Sequence, residues 1–132
     1  KRSVEKEITL CSSKLKEIAG CKVELFRPPY GDYSNNVVNT AKNLGYYTIQ
    51  WDVDSLDWKP GISKQNIYER VITKVNPGSI ILFHNDTAHT ASVLPEIISA
   101  LKKEGYSFVP VSELIMRENY IIDFKGQQKK KE

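Results

Sequence analysis

Apolar residues recur at helical spacing from the start of the chain, where Val4, Ile8, Cys11, Leu15 and Ile18 fall on one face. Ser3 stands where an N-cap belongs and Gly20 where a helix stops, so the pattern predicts a first helix between them. Val23 to Phe26 is a short extended run. A second helix follows, capped by Ser34, with Val37, Val38, Ala41 and Leu44 as its apolar face and Gly45 as its end. Tyr46 to Trp51, rich in aromatic and β-branched residues, predicts a strand. Ser63 caps a third helix that turns Ile67, Val71, Ile72 and Val75 inward. After the Pro77-Gly78 turn, Ser79 to Phe83 is a nearly unbroken apolar run, as expected of a parallel strand covered on both faces. Leu94, Ile97, Ile98 and Leu101 mark a fourth helix that stops at Gly105, with Pro95 expected near its first turn. Tyr106 to Val109 predicts the last strand, and Ser112 the cap of a short helix through Met116. No period is visible beyond Arg117, and the tail from about Gly126 is expected to be disordered.

Four helix-strand units joined by short connections imply an α/β fold with parallel strands and right-handed crossovers. A complete (β/α)₈ barrel needs about 250 residues, and this chain has 132. In folds of this kind, ligand sites lie beyond the C-terminal ends of the strands. Those ends deliver Arg27-Pro28-Pro29-Tyr30-Gly31, then Asp52 to Trp58, then His84, then Pro110-Val111-Ser112.

Charge narrows the partners. The net charge of +3 resides in Lys125 to Glu132, and the rest of the chain balances 15 basic against 15 acidic residues. A basic tail of this sort is a solvated segment rather than the folded patch that nucleic acid requires, so no nucleic-acid partner is expected. No run of 18 apolar residues offers a membrane span. The chain opens on Lys1, Arg2 and Ser3 and passes straight into an amphipathic pattern, without a secretory leader. Cys11 and Cys21 lie ten apart, which is neither a zinc nor a redox motif; burial in a core and a mutual disulfide both remain open.

Chemistry concentrates in a few places. Two prolines and Gly31 would make a rigid loop that holds Arg27 and the N–H of Tyr30, although a structural turn with a solvated arginine explains the same residues. Trp51 to Trp58 packs three aspartates and two indoles into eight residues. Aromatic faces suit sugar rings, and an aspartate can orient a histidine. His84 closes an apolar strand on the presumed site face, which favours general acid or base chemistry over a buried core histidine. His89 lies five residues on in a polar loop, and a metal site made by the two histidines is not expected. There is no Gly-x-Ser-x-Gly elbow and no phosphate-cradling glycine loop.

Taken in order, Arg27-Pro28-Pro29-Tyr30-Gly31, Asp54-Ser55-Leu56-Asp57-Trp58 and Leu82-Phe83-His84 resemble the third, fourth and fifth motifs of the polysaccharide deacetylases of carbohydrate esterase family 4, the NodB-homology fold. Leu94-Pro95-Glu96-Ile97-Ile98 and Phe108-Val109-Pro110-Val111-Ser112-Glu113-Leu114-Ile115 are similar to the deacetylases of spore-forming Firmicutes. The resemblance covers residues 1 to 116, as the C-terminal part of a distorted (β/α) barrel, with residues 117 to 132 as an extension. It implies removal of acetyl groups from N-acetylglucosamine-type units of peptidoglycan or chitin-like glycans, with a divalent metal, usually zinc, activating water. It implies an extracellular or cell-envelope setting in a bacterium.

Residue by residue, the resemblance implies that Arg27 tunes a catalytic aspartate and that the Tyr30 N–H helps hold the oxyanion. It makes Asp57 the residue that orients His84, Trp58 a wall of the groove, Leu82 a lining of the acetyl pocket, and His84 the general acid. The Thr-Phe-Asp-Asp-Gly and His-x-x-x-His motifs that carry the family's base and metal ligands do not occur in this sequence. The expectation is therefore a segment without metal ligands, inactive alone, whose unpaired sheet edges seek the other half of the barrel or a second copy. A glycan-binding or interaction module that reuses the fold is the alternative.

Overall fold

The structure is a computed structural model and describes residues 3–131. It divides into two compact units, one running to Gln50 and the other from Trp51.

In the first unit, α1 (Val4–Ala19) starts on Ser3, whose hydroxyl accepts the Lys6 N–H at 3.2 Å. It ends at Gly20, where a φ of 63° suits glycine and the N–H closes on the Lys16 carbonyl. Of the predicted apolar face only Ile8 is buried, while Leu15 and Ile18 are 44% and 81% exposed. Both cysteines are free and exposed, so neither open reading of them is realised. Strand β1 (Leu25–Phe26) pairs in parallel with β2 (Tyr47–Thr48), Leu25 opposite Tyr47. Between them α2 (Asn35–Asn43) is capped by Ser34, and Ala41 is its buried residue. The Tyr46 hydroxyl donates to Ser12 Oγ at 2.7 Å and ties the end of this helix-strand unit to α1.

The second unit holds the larger core. Strand β3 (Val53–Asp54) pairs in parallel with β4 (Ile81–Leu82), and α3 (Lys64–Ile72) packs on α4 (Thr90–Lys103). Val53, Ile67, Val71, Val93, Ile97 and Leu101 form the cluster between these elements, each no more than 1% exposed. Ser63 caps α3 by accepting the Asn66 N–H at 3.1 Å. The fold is thus mixed α/β, with parallel pairing in two short two-stranded sheets.

Several expectations change here. α4 begins at Thr90, so Pro95 lies in its second turn rather than its first, on the exposed side of the helix, where it offers no N–H to the carbonyl one turn back. The stripe facing the core is Thr90, Val93, Ile97 and Leu101, and Leu94 and Ile98 only flank it. Tyr106 to Val109 joins no ladder with another described strand; Tyr106 packs on the core, but Phe108 and Val109 are 48% and 47% exposed. α5 (Val111–Leu114) starts on Pro110, which places Ser112 inside the helix instead of at its cap.

The segment expected to be disordered from Gly126 forms instead the second strand of an antiparallel pair, β5 (Tyr120–Ile122) with β6 (Gln128–Lys130). Its turn is built by Asp123, whose carboxylate accepts the N–H groups of Lys125 and Gln127, both at 2.9 Å. The Gln127 N–H first, then Lys125, holds this carboxyl below its usual range. Gln128 locks the pair onto the preceding chain, bonding the N–H and carbonyl of Met116 at 2.7 Å each. Turn chemistry and one glutamine set this register, so hydrophobic alternation had no part in announcing it.

Candidate functional site

The three aspartates around β3 have separate tasks. Asp52 clamps the start of β4, accepting the Ile80 N–H and the Ser79 hydroxyl at 2.7 Å each. Asp54 accepts the Leu56 N–H at 2.9 Å, and its carbonyl takes the Arg70 Nε–H from α3 at 2.6 Å. Leu56 adopts a left-handed φ of 56°, uncommon for a side chain of this size. Held at both ends, this bend delivers Asp57 to the end of β4, with Ser55 fully buried beneath it and Asp57 only 3% exposed.

At that point the two groups expected to work together meet. Asp57 Oδ1 lies 2.7 Å from His84 Nδ1, and Oδ2 accepts the His84 backbone N–H at 2.8 Å. Thr90, the first residue of α4, donates its hydroxyl to the same Oδ2 at 2.6 Å. Burial works against charge on Asp57, but the hydrogen bonds from Thr90, the His84 N–H and ring, and Ser55 outweigh it and hold the carboxyl below the ordinary range. A carboxylate only accepts, so His84 Nδ1 carries the proton and Nε2 is left to face another partner. The His84 side chain as a whole is 37% exposed. Trp58, 53% exposed, presents its ring edge-on to the imidazole at 6.4 Å between centroids.

A cleft of about 500 Å³ opens beside Asp57 and Trp58, lined further by Ser63, Asn85, Thr87 and His89. His89 sits at the N-cap of α4, and its Nδ1 is buried with no hydrogen-bond partner among the described residues. No three His, Cys, Asp or Glu side chains gather into a cation site among the described residues, so these residues do not by themselves supply a ligand set for the metal that the resemblance implies. Leu82 is 8% exposed on β4, two residues before His84.

Arg27 and Tyr30 belong to the first unit. Arg27 is exposed directly after β1, and Pro28 behind it is fully buried. The Gly31 and Asp32 N–H groups close the turn on the Pro28 and Pro29 carbonyls, both at 3.1 Å. Not only Gly31 but also Tyr30 takes a positive φ, 58° for the tyrosine, whose side chain is fully exposed. A bulky residue held there costs about 1–3 kcal/mol, a strain that the rigid prolines sustain.

Sequence reasoning missed Thr90, Ser55 and Arg70. The signal for Thr90 was a hydroxyl that continues the Val93–Ile97–Leu101 stripe by one step toward the N-terminus. Arg70 had no such signal, since its partner is a backbone carbonyl.

Comparison with known proteins identifies the family. A family model described as "Polysaccharide deacetylase" matches residues 1–49. A peptidoglycan-N-acetylglucosamine deacetylase of Bacillus cereus is 42% identical over 97 residues, 69% of this chain and 45% of that protein. The peptidoglycan-N-acetylmuramic acid deacetylase PdaA of Bacillus subtilis is 32% identical over 118 residues, 87% of this chain and 45% of that protein. Among solved structures, a carbohydrate esterase family 4 pseudoenzyme from Bacillus anthracis matches with a TM-score of 0.79 and 32% identity, covering 84% of this chain and 39% of its own. The chain spans about half the length of the curated relatives it matches. Over that span, sequence and fold together place it in the polysaccharide deacetylase family, carbohydrate esterase family 4.

Proposed function

We propose that this chain supplies one wall of the active site of a metal-dependent polysaccharide N-deacetylase that hydrolyses acetamido groups on N-acetylglucosamine-type units of peptidoglycan or chitin-like glycans. The observation that carries the reading is the 2.7 Å contact between buried Asp57 and His84 Nδ1, which leaves the opposite ring nitrogen free of the carboxylate, with exposed Trp58 edge-on to the ring. With Nε2 protonated, His84 is the general acid: it passes that proton to the leaving amine nitrogen as the amide C–N bond breaks. Asp57 orients the ring and stabilises the imidazolium, Trp58 walls the sugar groove, and Leu82 lines the acetyl pocket. In the first unit, Arg27 tunes a catalytic aspartate and the Tyr30 N–H serves the oxyanion.

A divalent metal, zinc in this reading, supplies activated water when bound. The described residues gather no set of three His, Cys, Asp or Glu that would hold it. The setting is the cell envelope or the extracellular space, and no helix among the described residues is long and apolar enough to cross a membrane. The remaining strands of a (β/α) barrel, from elsewhere or from a second copy, would cover the edges of the two parallel pairs.

The test is acetate release from N-acetylated peptidoglycan and chitooligosaccharides by the gene product that carries these residues, with zinc added. His84→Ala should lower turnover by about 10²- to 10⁴-fold. Near-normal turnover in that variant removes His84 from the mechanism. A second reading, a non-catalytic glycan-binding module, draws support from the likeness to a pseudoenzyme. Glycan binding with no acetate release under any metal would favour it.

A further inference from the structure

Thr90 is 9% exposed on a helix stripe otherwise made of Val93, Ile97 and Leu101. A hydroxyl in such a place gains nothing over a methyl group unless it is bonded. Its proton goes to Asp57 Oδ2 at 2.6 Å. A hydroxyl rotates freely about its C–O bond, so something must fix the direction in which it donates. Here a second hydroxyl does so: Thr87 Oγ1 donates to Thr90 Oγ1, which occupies a lone pair and leaves the Thr90 hydrogen on Asp57. Chained donors polarise one another, so the last bond in the chain is strengthened by the first.

We propose that Thr90, backed by Thr87, is a positioning residue for the Asp57–His84 pair, pinning Oδ2 so that Oδ1 remains on the His84 Nδ1–H. Oδ2 then has two donors, the His84 backbone N–H and the Thr90 hydroxyl, and the carboxylate plane is fixed. Without the Thr90 hydroxyl, Oδ2 loses one of these two donors and keeps the His84 N–H, the carboxylate is freer to swing about its Cβ–Cγ bond, and the ring proton is held less firmly. The inference rests on the proposed role of His84, and it adds a residue that acts only through Asp57.

The experiment is the rate at which the His84 Nδ1–H proton exchanges with water, read by NMR on the ¹⁵N-labelled 132-residue chain. The resonance is identified by its loss in His84→Gln. Thr90→Val keeps the shape and removes the hydroxyl; exchange should accelerate about tenfold, the scale of one charge-assisted hydrogen bond. Thr90→Ser should restore the rate to within about twofold, since the donor returns without the methyl group. Thr87→Val, which leaves the buried position untouched, should accelerate exchange by about threefold through the weakened chain. An unchanged rate in Thr90→Val overturns the proposal. If that variant fails to fold, Thr87→Val decides, and an unchanged rate there overturns it equally. Failure of the active-site reading looks different: acetate release would survive His84→Ala while the Thr90 effect on exchange remained.

Discussion

Replacing Asp57 by asparagine keeps the shape of the side chain and removes its charge, and the structure says what should follow. Besides the Ser55 hydroxyl beneath it, three donors converge on the carboxylate, two on Oδ2 and one on Oδ1. The amide can turn its oxygen to the Thr90 hydroxyl and the His84 N–H, so both of those bonds survive as neutral ones. Its NH₂ then faces His84 Nδ1, where a second hydrogen already sits. The ring resolves the clash by moving its proton to Nε2, so that Nδ1 accepts. Bonds to a charged group are worth about 1.5–3 kcal/mol and neutral ones about 0.5–1.5, so two downgraded bonds cost about 2 kcal/mol. Relief from burying a charge returns part of this, and the expected loss of stability at neutral pH is about 1–2 kcal/mol. Asp57→Ala has no such accommodation; it strands the buried Thr90 hydroxyl and the His84 N–H and should cost about 3–5 kcal/mol.

Both tryptophans of the chain, Trp51 and Trp58, lie in the second unit, so their fluorescence during urea unfolding reports on the unit that contains Asp57. The ¹⁵N shifts of the His84 ring distinguish the two neutral tautomers. The contrary outcome is an Asp57→Asn protein whose stability stays within about 0.5 kcal/mol of the parent, the range of an ordinary surface change, and whose ring stays protonated on Nδ1. In that event the 2.7 Å contact would not be the interaction that sets the imidazole.

Further outcomes are expected. Asp57 is held below the usual carboxylate range, so its stabilising contribution is complete above the unfolded value of about 3.9 and fades as pH falls through the lower folded value. Urea unfolding between neutral pH and pH 2.5 should show this acid limb, flattened in Asp57→Asn. Ile97→Ala, at a side chain 1% exposed between α3 and α4, should cost about 2–5 kcal/mol by tryptophan-monitored unfolding. Ile18→Ala, 81% exposed on α1, should stay within about 0.5 kcal/mol in a circular-dichroism melt of the same chain. Ser63→Ala removes the acceptor for the Asn66 N–H at the start of α3 and should cost about 1 kcal/mol in the same fluorescence assay.

How far the sequence spoke depends on where the determining interaction lies. Helix starts were readable because Ser3, Ser34 and Ser63 cap within three residues of themselves, and each does so in the structure. The inward face of α3 was readable too, because Ile67 and Val71 meet a partner helix that the chain itself supplies. α1 shows the limit: Leu15 and Ile18 carry the same helical period, yet no described residue buries them. Periodicity marks a face that needs a partner and is silent about whether the partner is present. The strand predicted at Tyr106 to Val109 failed for a related reason, since a strand exists only with a neighbour to pair with, and apolar content cannot name one.

The candidate site divides along the same line. His84 and Asp57 could be picked out singly because strand ends concentrate chemistry in α/β folds. Their contact spans 27 positions, and the bend that makes it depends on Leu56 in a left-handed conformation, which nothing in a leucine announces. Thr90 lies 33 positions from the carboxylate it serves, and in the sequence it reads only as a polar residue at a helix start. What identifies it is burial: a hydroxyl at 9% exposure must have a partner, and the partner found is the one carboxylate directed at His84. Locating the fold's chemistry therefore needed only strand order, whereas ranking the residues needed an account of every buried donor around Asp57. By that account the Thr90 hydroxyl belongs with His84 and Asp57 as one unit, and Asp52 and Asp54, each bonded to neighbouring backbone, belong to the scaffold.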